Sequence, residues 1–504
     1  MSAVTFSPRR WWALIAIVLS VLTVGFDTTI LNVALPTLAT ALNAGNDDLQ
    51  WIVNAYVLVF AGLLLPMGAL GDRYGRKRLL MTGLLLFAGA SLIAVFASGA
   101  GQVIAARALM GVGGAILTPI TMAVLPVMFE PHERGKAISL VTMGMGIGLP
   151  LGPIIGGYLL EHFWWGSIFV INVPVALVAL VAVALLVPES RSSTPKRVDL
   201  IGAGLSTLGL VSLVYGVIEA PARGWTDARV LVGLALGAAL LAIFALVERR
   251  AESPMIDLRL FRKARFAWGT AAGTLASFAL FGVLFILPQY LQAVRGNDAL
   301  GVGLRLLPLI GGLFVGAPLG ERIAHLTATR VPVAAGLLIG AVGLGLGART
   351  GVESGYGFVA TWLAVGGFGI GLALTPAMDA VLGSLPRDEA GSGTAITMTL
   401  RQVGGALGVA LLGSLTAAVY RDRLDAAPET AKQSISAAVA IAARTGDQAL
   451  ALSARSAFLT AMSAVLLACA AIAVVGAVLV ALFLPSARPA AGAEESVDEL
   501  TRVA

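Results

Sequence analysis

The chain has 504 residues, 58% of them apolar and 12% charged, with 60 glycines, a net charge of +6 and a mean hydropathy of +0.90. A water-soluble protein of this size carries roughly a quarter charged residues, so a soluble enzyme is excluded and lipid must be the solvent for most of the chain. A single Cys469 and three histidines leave no intrachain disulfide and no thiolate metal cluster.

Apolar runs bounded by charges or turn residues predict fourteen spanning helices, at roughly 11–34, 50–71, 79–98, 102–128, 137–160, 166–187, 199–218, 229–247, 266–292, 300–320, 331–348, 356–384, 391–419 and 457–484. The first run follows Arg9 and Arg10 as a signal peptide would, but its length, its Asp27 and the spans behind it mark it as retained. The Ala-rich connection 421–456 is too short for a domain and reads as a short surface helix. The acidic tail beyond Pro485 reads as disordered and cytoplasmic. Lys and Arg number twenty in the alternate segments that begin with the N-terminus, against four in the short loops between them. Positive charge collects on the inner side, so both termini are expected to be cytoplasmic, in a multi-pass protein of the cytoplasmic membrane.

Gly71-Asp72-Arg73 after the second run is echoed by Gly320-Glu321-Arg322 after the tenth. The echo divides the chain into a six-helix half (1–190), an inserted pair of helices (191–262), a second six-helix half (263–485) and the tail (486–504). Two repeated halves around a central cavity are the architecture of alternating-access transporters. The inserted pair has no ionisable group deep in its apolar runs, and is expected to be accessory.

Asp27 lies inside the first run, where a charge costs at least a few kcal/mol and is rarely idle. It shares a helical stripe with Ser20 and Thr23 and is expected to face a cavity; a local hydrogen bond with Thr28 or Thr29 is the alternative. By charge count alone, the segment Gly68 to Arg78, with Asp72, Arg73, Gly75, Arg76 and Lys77, is a positive-inside anchor with turn glycines. Arg107 in the fourth run, followed on its face by Gly111, Gly114, Thr118 and Thr121, must find a carboxylate across the bundle or rest on backbone carbonyls. Gly144, Gly148, Gly152 and Gly156 recur every four residues, with Pro150, Pro153 and Gly157 among them, so the fifth helix can approach a neighbour closely. In the second half, Arg401 shares a stripe with Gly393, Thr397 and Gly405, facing the cavity or a helix seam. Asp379 lies at an inner end and reads equally well as solvated, while Glu161 and Glu219 read as rim residues. His132, His162 and His325 fall in separate loops, which argues against a membrane-embedded enzyme. The pairs Gly111-Val112-Gly113 and Gly369-Ile370-Gly371 follow no strand, so nucleotide binding is not expected.

These segments resemble the signatures of the major facilitator superfamily, in its fourteen-helix drug:proton antiporter branch. The match rests on Gly68 to Arg78 between helices 2 and 3 and on Asp27 to Pro36 in helix 1. Arg107 with Gly111, Gly113 and Gly114 in helix 4 and Gly148 to Gly157 in helix 5 extend it. Gln50-Trp51, Tyr56, Asn172-Val173-Pro174 and Arg401 to Gly405 carry it through the chain. It departs at Trp165-Gly166-Ser167, where an arginine is usual, and around His325, where the second loop motif is degenerate. The resemblance implies an all-α polytopic fold of two six-helix halves plus two inserted helices. It assigns proton coupling to Asp27 and Arg107, and a conformational latch to Gly68, Asp72, Arg73, Gly75, Arg76 and Arg78. The antiporter motif falls on Gly148, Pro150, Gly152, Pro153, Gly156 and Gly157, and the cavity candidates are Tyr56, Thr118, Asp379 and Arg401. It implies export of hydrophobic compounds, cationic ones foremost, in exchange for protons, by a monomer in the lipid bilayer with no cofactor and no nucleic-acid partner. A dedicated exporter of one metabolite, lipid or self-made antibiotic is the alternative.

Overall fold

The computed structural model describes residues 10–129, 131–191, 199–251, 258–385, 390–424 and 427–485, so the expected tail lies outside the described residues. What is described is helical. The long helices, in chain order, are α1 (Arg10–Ala41), α2 (Asn46–Tyr74), α3 (Arg76–Val95), α4 (Ala100–Met128), α5 (Pro131–His162), α6 (Ser167–Leu186), α7 (Leu200–Arg223), α8 (Ala228–Arg250), α9 (Ala264–Val294), α10 (Ala299–Leu326), α11 (Arg330–Gly347), α12 (Tyr356–Leu382), α13 (Ala390–Arg423) and α14 (Gln448–Phe483). Thirteen are long and apolar enough to cross a membrane, and α5, of 32 residues, packs along α1 beside them. Helix starts are set by local chemistry. Asp199, Asp227, Asp298 and Asp447 cap α7, α8, α10 and α14 by accepting from free backbone N–H groups of the first turn, at 2.6 to 2.9 Å.

The packing repeats. In the first set α1 lies on α4, α5 and α6, α2 on α4, and α3 on α4 and α6. In the second set α9 lies on α12, α13 and α14, α10 on α12, and α11 on α12 and α14. The repeat therefore pairs α1–α6 with α9–α14 in order. The sets meet through α2 against α13 and, in the equivalent pairing, α5 against α10. Gly71 abuts Ile120 of α4 and Gly320 abuts Leu372 of α12, so the echoed tripeptides occupy matching places. Of the inserted pair, α7 reaches α2 and α13, whereas α8 lies mainly on α7.

Glycine sets the closest approaches. A Cβ on Gly148 would fall 2.9 Å from the Gly25 carbonyl carbon, and those on Gly144, Gly152 and Gly156 would meet Val18, Thr29 and Ile30 of α1. Gly404 and Gly408 of α13 face Thr274 and Phe278 of α9 in the same way. In each set one helix is thus pressed against its neighbour at backbone distance, where dispersion contact takes the place of a hydrophobic drive that lipid cannot supply. Gly157 reaches across to Ala299 and Leu300, and Gly303 of α10 to Pro153, so the same motif also builds the seam between the sets.

Three hydrogen bonds join the two sets at the end away from the α2–α3 loop: Asn46 Nδ2 to Gly413 O at 3.1 Å, Asn46 N to Gln433 O at 3.2 Å, and Gln292 Nε2 to Val33 O at 3.0 Å. The segment expected to be a surface helix is more deeply seated there. A short helix, Ile435–Thr445, buries Ile435, Ala438 and Ala442 against α14, α1 and the last turn of α9. Its apolar side chains recur at three- and four-residue spacing, and that face demands a partner.

Gly148→Val should lower thermal stability by about 1–3 kcal/mol, because the new side chain meets backbone that cannot rotate away. A detergent melt of the variant that overlays the parent would disprove the close approach of α1 and α5.

Candidate functional site

Asp27 and Arg107 come together in the first set. Both are buried, at 1% exposure, and Arg107 Nη1 donates to Asp27 Oδ2. Arg107 Nε donates to Ile52 O of α2 at 3.2 Å, its guanidinium carbon lies 4.4 Å from the centre of the Tyr56 ring, and Asn172 Nδ2 of α6 reaches Asp27 Oδ1 at 3.4 Å. One carboxylate therefore ties α1 to α4 and α6, and the arginine extends the tie to α2. Low dielectric makes such a pair strong while intact and very costly to half-remove.

The glycines of α4 make room for this arrangement. A Cβ on Gly111 would fall 2.6 Å from Tyr56 O, and one on Gly114 would fall 2.7 Å from Tyr56 Oη, so α4 approaches α2 closely enough to hold the ring over Arg107. Thr28 and Thr29 donate to Gly25 O and Thr29 also to Gly148 O, so the local alternative for Asp27 is not the one formed. Ser20 and Thr23 are fully buried and donate back to Ala16 O and Leu19 O, which corrects the expectation that their stripe opens on a cavity. Tyr56 and Thr118, cavity candidates from the sequence, are likewise buried, Tyr56 as the roof of Arg107 and Thr118 bonded to Gly114 O. Asn172 entered only as part of a motif. Its role needs the distance between α6 and α1, which spacing does not supply.

The α2–α3 loop forms a second cluster. Arg76 grips Asp72 Oδ1 with Nε at 3.0 Å and Nη2 at 2.7 Å. Glu189, beyond the end of α6, takes the backbone N–H of Lys77 at 3.2 Å and faces Arg78 Nε at 3.6 Å, while Lys77 Nζ donates to Ala184 O at 2.6 Å. Gly75 has φ +114°, and a Cβ there would fall 2.7 Å from Glu189 Oε1. Arg73 is exposed with its guanidinium over Tyr74, and Gly68 lies against Pro119. Among the described residues, the hydrogen bonds and ion pairs of the loop stay inside the first set. Sequence reasoning missed Glu189; an acid just after Pro188, at the membrane end where cations collect, is the signal that was there to read.

In the second set Arg401 is partly buried, and its Nε donates to Ser277 Oγ of α9 at 3.3 Å. Asp379 is exposed near the end of α12. Glu219 pairs with Arg223 at 2.6 Å, and Glu161 is exposed.

Two pseudo-equivalent six-helix sets, an acid–base pair sealed within one of them and a charged loop at one end define a helical membrane carrier. The chain belongs to the Major Facilitator Superfamily, whose family model matches residues 17–409. It is 35% identical to the tetracenomycin C resistance and export protein of Streptomyces glaucescens, over 82% of this chain and 77% of that one. It is 36% identical to the multidrug efflux pump LfrA of Mycolicibacterium smegmatis, over 93% of this chain and 96% of that one. The fold is similar, with a TM-score of 0.71 and 16% identity, to the crystal structure of a bacterial homolog of the human lysosomal transporter Spinster, covering 96% of this chain and 100% of that one.

Gly75→Ala should cost on the order of 1–3 kcal/mol, from the positive φ and the contact with Glu189. Adding Glu189→Ala should recover the steric part but not the backbone strain. Melting of both variants at the parental temperature would show that the turn does not need glycine.

Proposed function

We propose that the protein is a proton-driven exporter of hydrophobic compounds, cationic ones foremost, acting as a monomer in the cytoplasmic membrane with both termini cytoplasmic. Two six-helix halves, bounded near residues 190 and 263, do the work, and the α7–α8 pair is accessory. The observation that carries this reading is the buried Asp27–Arg107 pair and its reach into four helices of one half. Relatives whose names describe multidrug efflux and antibiotic export support the direction of transport.

A proton and Arg107 compete for the same carboxylate. Protonating Asp27 removes the charge that holds the guanidinium, so the conformer with the pair intact binds a proton more weakly than one in which α1 and α4 have parted. That differential affinity is what lets a proton gradient bias the two conformers. With α1 starting on the cytoplasmic side, the bonds that join the halves lie at the outer face, so this conformer is closed outward. The α2–α3 cluster lies on the inner face, where Asp72 and its cations act as the latch of the opposite conformer. A narrower reading, export of one compound, is favoured by the relative named for tetracenomycin C; efflux over a panel of structurally unrelated compounds separates the two.

In liposomes with an imposed pH gradient, Asp27→Asn should abolish gradient-driven efflux while leaving the protein folded, since the shape is kept and the titratable group is lost. Undiminished efflux would remove Asp27 from the mechanism. Arg107→Lys should transport at a small fraction of the parental rate, because an ammonium cannot hold Asp27 and Ile52 O in one plane. Parental rates in that variant would mean that a point charge suffices.

A further inference from the structure

The geometry points to Arg401 as an anchor, inside the transport pathway, for an acidic or acceptor-rich group on the substrate. This deepens the export reading and rests on it. Asp27 in α1 and Arg401 in α13 are charged side chains well inside described spans, Arg107 in the first turns of α4 is buried against Asp27, and Arg305 and Arg455 sit in the first turns of long helices. Asp27 and Arg107 neutralise each other. Arg401 has no carboxylate within ion-pair distance among the described residues, and its single hydrogen bond uses Nε. A guanidinium offers five N–H donors in a planar fork, so the Nη1 and Nη2 edge stands free. Neither terminal nitrogen is among the buried atoms without a partner, so both reach open space.

α13 is packed by α2, α7, α9, α12 and α14, so Arg401 stands among helices, and on the export reading its free edge opens on the passage between the halves. Ser277, itself buried at 3% exposure, pins the near edge of the guanidinium, and Gly273 on α9 leaves room for it, a Cβ there falling 3.4 Å from Arg401 Cδ. A positive, pre-oriented fork with unsatisfied donors in a low-dielectric passage selects a carboxylate, a phenolate or a pair of carbonyl oxygens on a planar compound. The site thereby adds, beside the hydrophobic and cationic compounds already proposed, planar aromatics that carry an acidic oxygen.

The test uses a xanthene dye with a free benzoate carboxylate and the methyl ester of the same dye. Binding to the full-length protein in detergent is read by fluorescence anisotropy before efflux from liposomes is read. Arg401→Gln should weaken binding of the acid about tenfold or more and leave the ester within a factor of about two, and Arg401→Lys should fall between. Equal losses for acid and ester, or no loss for either, would overturn the assignment. Should Arg401→Gln fail to fold, Arg401→Lys decides by itself, since unchanged acid binding without the planar fork would also overturn it. Dyes that bind with this selectivity but are not moved would count against export and leave the anchor standing.

Discussion

Four helices of the first six-helix set, α1, α2, α4 and α6, meet at one buried carboxylate and one buried guanidinium. Isolated, either charge would be intolerable at that depth. Together they are tolerable only because Ile52 O, the Tyr56 ring and Asn172 take up the remaining polarity. This constraint dictates where α1, α2, α4 and α6 stand relative to one another. It also explains why α4 carries glycine at 111 and 114, since larger residues would push the Tyr56 ring off the arginine.

The glycine stripes complement that constraint. They fasten α5 to α1 and α13 to α9 at backbone distance, which leaves little slack within a set. Packing of this kind favours motion where the sets meet, along α2 with α13 and α5 with α10, over motion within either set. The Asp27–Arg107 pair sits wholly in one set and Arg401 in the other. On the function proposed, exchange does not need one carboxylate to serve proton and substrate in turn.

Most of the architecture was legible because membrane helices advertise themselves: long apolar runs, cations on one side and a repeat at Gly71 and Gly320. The chemistry was legible where a residue type is costly in lipid, which singled out Asp27, Arg107 and Arg401. Contacts made through distance rather than composition were not. Asn172, Glu189 and the backbone oxygen of Ile52 have ordinary identities at ordinary places, and only the fold makes them partners. The stripe of Ser20 and Thr23 misled for a related reason. Hydroxyls in a spanning helix satisfy themselves on the carbonyl three or four residues back, so their presence on a face says nothing of what that face meets.

The short helix Ile435–Thr445 has a bearing on how the molecule opens. By sequence it belongs to the second body, between α13 and α14, yet it also touches α1 of the first. Near it the N–H of Asn46 is held by Gln433 O. Such a segment behaves as a clasp, because separating the two bodies at this face must strip its contacts from one side. It begins at Ser434, whose hydroxyl caps the helix, and ends at Gly446 in the left-handed region, at φ +72°. Both ends are therefore fixed by local chemistry, a hydroxyl cap at the start and a left-handed glycine at the close. A connection between two spans has become a fastening between the two bodies.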